Sequence, residues 1–219
     1  MAFPTFDLDL APPGKMTMPA HTGGGVEGGR VQSGGVRAID FSGGGLVTVS
    51  YKSIQLGNAT PNGLRYWSRL GAMLNSRVRS ILVPLMTEFW SPQEWTVTFA
   101  EPAALNAGTV VLDVSGLFLL EDTFVGGEWF EVEYGGALAS RSYCITDIDS
   151  VVPTGERTYR ITCGIRSPLR AAVGAGAIAN FVRPKVLMSL APGSQITAEI
   201  ERNFWTTPDV SFLESFGTT

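Results

Sequence analysis

Glycine and proline interrupt this chain so often that only one stretch is left in which a regular helix fits. The 26 glycines and 13 prolines are spread along all 219 residues. Glycine costs backbone entropy inside a regular element and proline removes a hydrogen-bond donor, so this spacing favours short strands joined by turns. The exception is TPNGLRYWSRLGAMLNSR. There Thr60 can cap, Pro61 suits the first helical position, and Leu64, Trp67, Leu70, Met73 and Leu74 recur at helical spacing. The expected class is mostly β, with β-sandwich or barrel domains and one amphipathic helix docked on a sheet.

Around that helix the strand signals are dense. Val36 to Phe41 and Leu46 to Leu56 flank the glycines at Gly43 to Gly45 and predict a hairpin. RSILVPLMTEFW predicts a buried strand, with Pro84 placing it at an edge or a bulge. Beyond Trp95 come TVVLDV, GLFLL, EWFEVEY, SYCITDI, TYRITCGI, AIANFV, KVLMSL, QITAEIE and DVSFLESF, a series typical of a sandwich or barrel. SYCITDI and TYRITCGI predict a hairpin with DSVVPTGER as a long loop. Residues 1–35, with Pro12, Pro13, Pro19 and the tract HTGGGVEGGRVQSGG, predict a flexible arm or one that orders only on a partner. The rest divides into 36–104 plus 185–219, a β domain with the helix, and an inserted β domain at 105–184, the crossings lying near Pro102 and Pro184.

Charge narrows the partners. Only 16% of residues are charged, against about a quarter in an average soluble domain, so much of the surface is uncharged and suited to being covered. The net charge is −4 and the lysines and arginines are scattered, which argues against a nucleic-acid partner. No stretch approaches the roughly 20 apolar residues of a spanning helix, so no membrane is expected. The opening MAFPTFDLDLAPPGK has acids and prolines where a secretory signal would be basic and then apolar. Synthesis and initial residence in the cytoplasm are therefore expected.

The residues for catalysis are sparse. His21 is the only histidine, which excludes histidine clusters for metals and leaves no ordered His-based triad; it is expected to be solvated on the arm. Cys144 and Cys163 are too few for a disulfide framework, and are either buried thiols or a bridge between neighbouring strands. Glu121, Asp122, Glu128, Glu131 and Glu133 cluster, but alternation in EWFEVEY puts Glu131 and Glu133 on a solvated face with Trp129. An acid-pair glycosidase and an ion site are the sharper readings of that cluster, and Trp129 beside the acids motivates a carbohydrate-binding β-sandwich module as the alternative function. The glycine tracts lack a phosphate-loop context. No catalytic residue, cofactor site or metal site is expected. The aromatics, among them Trp90, Trp95, Trp129, Trp205, Phe204, Phe212 and Phe216, suit a core and subunit interfaces.

One segment carries a family pattern. In TYRITCGIRSPLRAAVGAGAIANFVRPKVLMSLAP a Tyr-Arg-Ile strand (Tyr159 to Ile161) leads to an Arg-x-Pro-Leu-Arg turn (Arg166 to Arg170). An Ala-Val-x-Ala-Gly step (Ala172 to Gly176), Arg183-Pro184 and a strand bearing Met188 follow. This resembles the minor tail proteins of siphophages and prophages, of the distal-tail type. RYWSRLGAMLNSRVRSILVPL is similar to that family's middle helix and Val-Pro strand, and NFWTTPDVSFLESF to its aromatic terminus. The Gly-rich start has no counterpart, and Gly164 to Ser167 departs from the usual turn. The resemblance implies a virion component at the tail tip, forming a generally hexameric ring. Its implied partners are itself, the tail tube protein, the tail hub and other tip proteins, and the tape measure protein. Pro168 should fix the turn, Leu169 fill the core, and Arg166 and Arg170 remain outside, in salt bridges or contacts between subunits. Arg166, Arg170, Trp205, Phe212 and Phe216 are the candidate interface residues.

Overall fold

The computed structural model describes residues 3–22, 25–28, 37–40, 45–56, 61–75, 79–85, 95–116, 125–136, 138–198, 200–201, 204–205 and 208–216. Its elements are β1 (Pro13–Met16), β2 (Ala20–Thr22), β3 (Gly25–Gly28), β4 (Arg37–Asp40), β5 (Leu46–Ile54), α1 (Pro61–Leu74), β6 (Ile81–Pro84), β7 (Thr96–Phe99) and β8 (Thr109–Ser115). There follow β9 (Trp129–Gly135), β10 (Ala139–Gly155), β11 (Thr158–Arg166), β12 (Lys185–Leu190), β13 (Ile200–Glu201), β14 (Phe204–Trp205) and β15 (Val210–Glu214). The protein is mostly β, with two curled antiparallel sheets and, among the described residues, one helix.

The first sheet runs β1-β5-β15-β12-β6, and β2 also pairs with β5. Its inward rows are set by alternation: Val47, Val49 and Tyr51 on β5, and Val210 and Phe212 on β15, are all buried. Helix α1 lays Trp67, Leu70 and Leu74 on this core, the stripe read from its spacing. Trp67 Nε1 donates to the Thr197 carbonyl at 3.1 Å, and Asn75 exchanges hydrogen bonds with the Ile196 backbone.

Within residues 3–22, Phe6 and Ala11 are buried in this core and Leu8 and Met16 pack against it, which differs from the flexible-arm expectation for that stretch. Phe6 is 1% exposed and meets Tyr51, Tyr66 and Phe212 edge to face. Phe6 N donates to the Leu82 carbonyl at 2.7 Å and Leu82 N to the Pro4 carbonyl at 2.9 Å, so residues 4–6 cover the outer edge of β6. Nine residues on, β1 pairs with β5 at the opposite edge. One segment thus closes both edges, and the burial of Phe6 and Ala11 repays the entropy of ordering it. Pro84 ends β6 at the edge, and its carbonyl accepts the Tyr51 hydroxyl proton. Val36, Phe41, Gly43 and Gly44 of the hairpin expected across Gly43 to Gly45 lie outside the described residues; among the described residues β4 pairs with β3, and β5 with β1, β2 and β15.

The second sheet runs β7-β8-β11-β10-β9. Phe99, Leu112 and Ile161 form one inward row and Val97 and Val114 the next. Strands β10 and β11 are the expected hairpin, but DSVVPTGER is strand nearly throughout: Val151 pairs with Ile161 and Gly155 with Thr158, around Arg157 at φ 61°. Residues 173–180 then join the two edges of the sheet. Ala179 N donates to the Val97 carbonyl at 3.0 Å, while Glu131 and Asn180 exchange backbone bonds at 2.8 and 2.9 Å. This segment bridges β7 to β9 and curls the sheet toward a closed barrel. β7 belongs here, so sheet membership changes before Thr96, ahead of the Pro102 region, and returns to the first sheet at Lys185.

The two cores share a wall. In β9, Trp129 packs in the first core and Phe130 and Val132 in the second. In β10, Cys144 touches the first core while Tyr143 and Ile145 lie in the second. Buried on both faces, these strands lose the polar–apolar alternation of a half-solvated strand.

Candidate interface

The Arg-x-Pro-Leu-Arg turn leaves the end of β11 through Ser167, which holds φ 61°. Leu169 is fully buried in the second core and its N donates to the Ala107 carbonyl at 3.0 Å. The turn therefore plugs the barrel, and its two arginines part company. Arg166, opposite Cys144 in the β-ladder, is exposed. Arg170 is half-buried: its Nη2 donates to the Gly45 carbonyl at 2.9 Å, its backbone N donates to the Tyr143 hydroxyl at 3.1 Å, and its Cζ lies 5.5 Å from the Phe216 ring centroid. It joins the second sheet to the start of β5.

Of the aromatic candidates, Phe216 is on the surface at 48% exposed. Phe212 is not: at 0% exposure it lies in the first core against Phe6 and Tyr51, because the parity of β15 turns Val210, Phe212 and Glu214 inward. Its assignment to an interface is corrected. Trp205 lies in β14, paired through Ile200 in a short ladder with β13. Trp90, Glu121 and Asp122 lie outside the described residues.

His21 is not a solvated arm residue. In β2 opposite Val47, its ring stacks on Trp129 with centroids 4.9 Å apart and planes 14° from parallel. Its Nε2 is buried without a hydrogen-bond partner. Burial first, then Arg166 and Arg170, push the imidazole down to about 4. Trp129, 3% exposed beneath it, is closed to a sugar ring, which removes the residue that motivated the carbohydrate-binding module.

The acids are divided too. Glu131 is 7% exposed, corrected from the solvated face; its Oε2 accepts from Asn180 Nδ2 at 3.3 Å and Lys185 N at 3.1 Å. Burial raises its carboxyl above the usual range. Glu128 caps its own turn by accepting from Val125 N and Gly126 N, while Glu133 is exposed. Glu131 and Glu128 are thus spent on holding backbone in place. Cys144 and Cys163 are free thiols: the register sets Cys163 opposite Ile148, and burial pushes them up to about 11 and about 12. Such thiols are poor nucleophiles at neutral pH.

A cluster not foreseen from the sequence sits beside Arg170. Arg141, fully buried, donates from Nη1 to Glu214 Oε1 at 3.1 Å and to the Ser215 carbonyl at 2.8 Å, and its Cζ stands 4.5 Å from the Phe216 ring centroid. The Tyr134 and Tyr143 hydroxyls are 2.8 Å apart in the same region. The signal was present in the sequence: Arg141 shares the parity of Tyr143 and Ile145, and Glu214 that of Val210 and Phe212. Opposite charges at inward positions of two strands predict a buried pair. No protein-family model matches this chain, and no curated protein matches it.

Proposed function

We propose that this protein is a non-enzymatic structural component of a bacteriophage tail: a distal tail protein that self-associates in a ring, hexameric in the usual manner of such rings, joining the tail tube to the hub. The observation that carries this reading is the position of the family-like run Tyr159 to Met188 in the fold. It supplies β11, the Leu169 plug, the segment that bridges β7 to β9, and β12, so it runs through both sheets. Leu169 and Met188 are fully buried and Val173 is 6% exposed. A likeness at such positions is a likeness of scaffold, and in a structural protein the scaffold is what assembles.

The surface supports the same reading. Val151 and Val152 are exposed on the β10–β11 hairpin, Ile178 on the bridging segment, and Phe216 after β15, offering apolar contact area on a chain with few charges. The partners are further copies of the chain, the tail tube protein, the hub and other tip proteins, and the tape measure protein. Assembly takes place in the host cytoplasm and the product resides in the virion tail. Cryo-electron microscopy of the intact particle tests this. A ring at the tail tip into which this fold docks is the expected result. A tail-tip map with no density fitting the two-sheet fold, together with a purified chain that is monomeric by light scattering, would overturn it.

A further inference from the structure

The guanidinium of Arg141 is fully buried and only partly used. Among the described residues, Nη1 carries its hydrogen bonds, to Glu214 and the Ser215 carbonyl, while Nε and Nη2 have no hydrogen-bond partner. Those two nitrogens make up the side-on edge of the group, the edge that presents parallel N–H donors to an oxyanion. Buried donors are nearly always paired. An unpaired bidentate edge at 0% exposure is therefore a donor set suited to a carboxylate.

The surroundings favour an anion. Glu214 is fully engaged, since its Oε2 accepts from Val47 N at 3.1 Å while Oε1 holds Arg141. Arg170 adds a second cation, close enough to make the charge on Arg141 more costly. Phe216 covers both, with its ring centroid 4.5 Å from Arg141 Cζ and 5.5 Å from Arg170 Cζ. It lies beyond the end of β15 and is 48% exposed, so it has room to turn outward.

We propose that Arg141 and Arg170 form a carboxylate-binding site capped by Phe216. The carboxylate takes the Nε and Nη2 edge of Arg141 in bidentate fashion, Arg170 supplies the second positive charge, and the Phe216 ring gives way on entry. A free small carboxylate and an acidic side chain of an adjoining protein share this chemistry. The site stands independently of the tail-tip reading.

The test uses the full chain labelled with 15N, following arginine Nε–H resonances while acetate or a capped oligoglutamate peptide is titrated at constant ionic strength against sodium chloride. The Arg141 signal, identified by its disappearance in Arg141→Lys, should shift saturably with carboxylate and not with chloride. Phe216→Ala should lower the acetate midpoint several-fold, because the closed cap no longer competes for the open state. Arg170→Gln should raise it. A peptide midpoint below that of acetate per carboxylate identifies a protein side chain as the natural ligand, and equal midpoints identify a small carboxylate. An Arg141 resonance unmoved by both probes in the Phe216→Ala chain, where the cap is gone, overturns the proposal. An Arg170→Gln midpoint equal to that of the natural chain removes Arg170 from the site.

Discussion

Arg141 and Glu214 show how much a single buried pair can weigh in a chain with few charges. Removing one partner leaves the other desolvated and uncompensated, which in comparable pairs costs about 3–5 kcal/mol, whereas replacing both by apolar residues is often neutral. Glu214→Ala should therefore lower the urea midpoint sharply, and Arg141→Met combined with Glu214→Leu should recover most of the loss. His21 gives a second residue-level expectation. Its imidazole is depressed from 6.5 to about 4 by burial and by Arg166 and Arg170, so the undocked chain binds the proton more readily than the folded one. The His21 contribution is then fully present above pH 6.5 and is lost progressively as pH falls through that value toward about 4. Unfolding midpoints measured across this window should decline, and His21→Phe, which keeps a ring on Trp129 without a titrating group, should flatten the decline.

Among the elements, the N-terminal segment and the 173–180 segment do the same job in different sheets: each covers edges that would otherwise expose unpaired backbone. For the first, Phe6→Ala is expected to cost about 3–5 kcal/mol in chemical denaturation, as for other buried aromatic truncations; a loss near zero would restore the free-arm picture. For the second, Ala179→Pro removes the N–H that donates to Val97 and should destabilise the protein, detected as faster exchange of the β7 amides. The helix depends on the N-terminal segment as well. A Cβ on Gly63 would stand 2.8 Å from the Leu10 carbonyl oxygen, so α1 approaches that segment as closely as it does because the residue is glycine.

For the whole molecule, the shared wall of β9 and β10 ties the two cores together. Trp129 comes from the second sheet yet packs in the first core, under a histidine from the first sheet. The two sheets should therefore unfold as one unit, with tryptophan fluorescence and far-ultraviolet circular dichroism giving coincident transitions. Separated transitions would show two independent domains.

The abundance of glycine and proline and the apolar spacing from Leu64 to Leu74 were enough to give the mostly-β class, the helix and most strand positions, because breakers and periodicity act over a few residues. The β10–β11 hairpin was legible for the same reason, though its supposed loop was strand: exposed Val151 and Val152 extend a ladder that their own polarity does not require. Strand partners were less readable. Whether β5 pairs with β4 or with β1, β2 and β15 depends on apolar surface brought from far along the chain. The candidate interface divided along the same line. The burial of Leu169 was legible beside Pro168, whereas the burial of Phe212, Glu131 and Arg141 depends on a second layer packing over strands that looked half-solvated, and His21, read as an arm residue, is stacked on Trp129. Short-range sterics and hydrogen bonding set the elements, and long-range burial chose which of their faces became core.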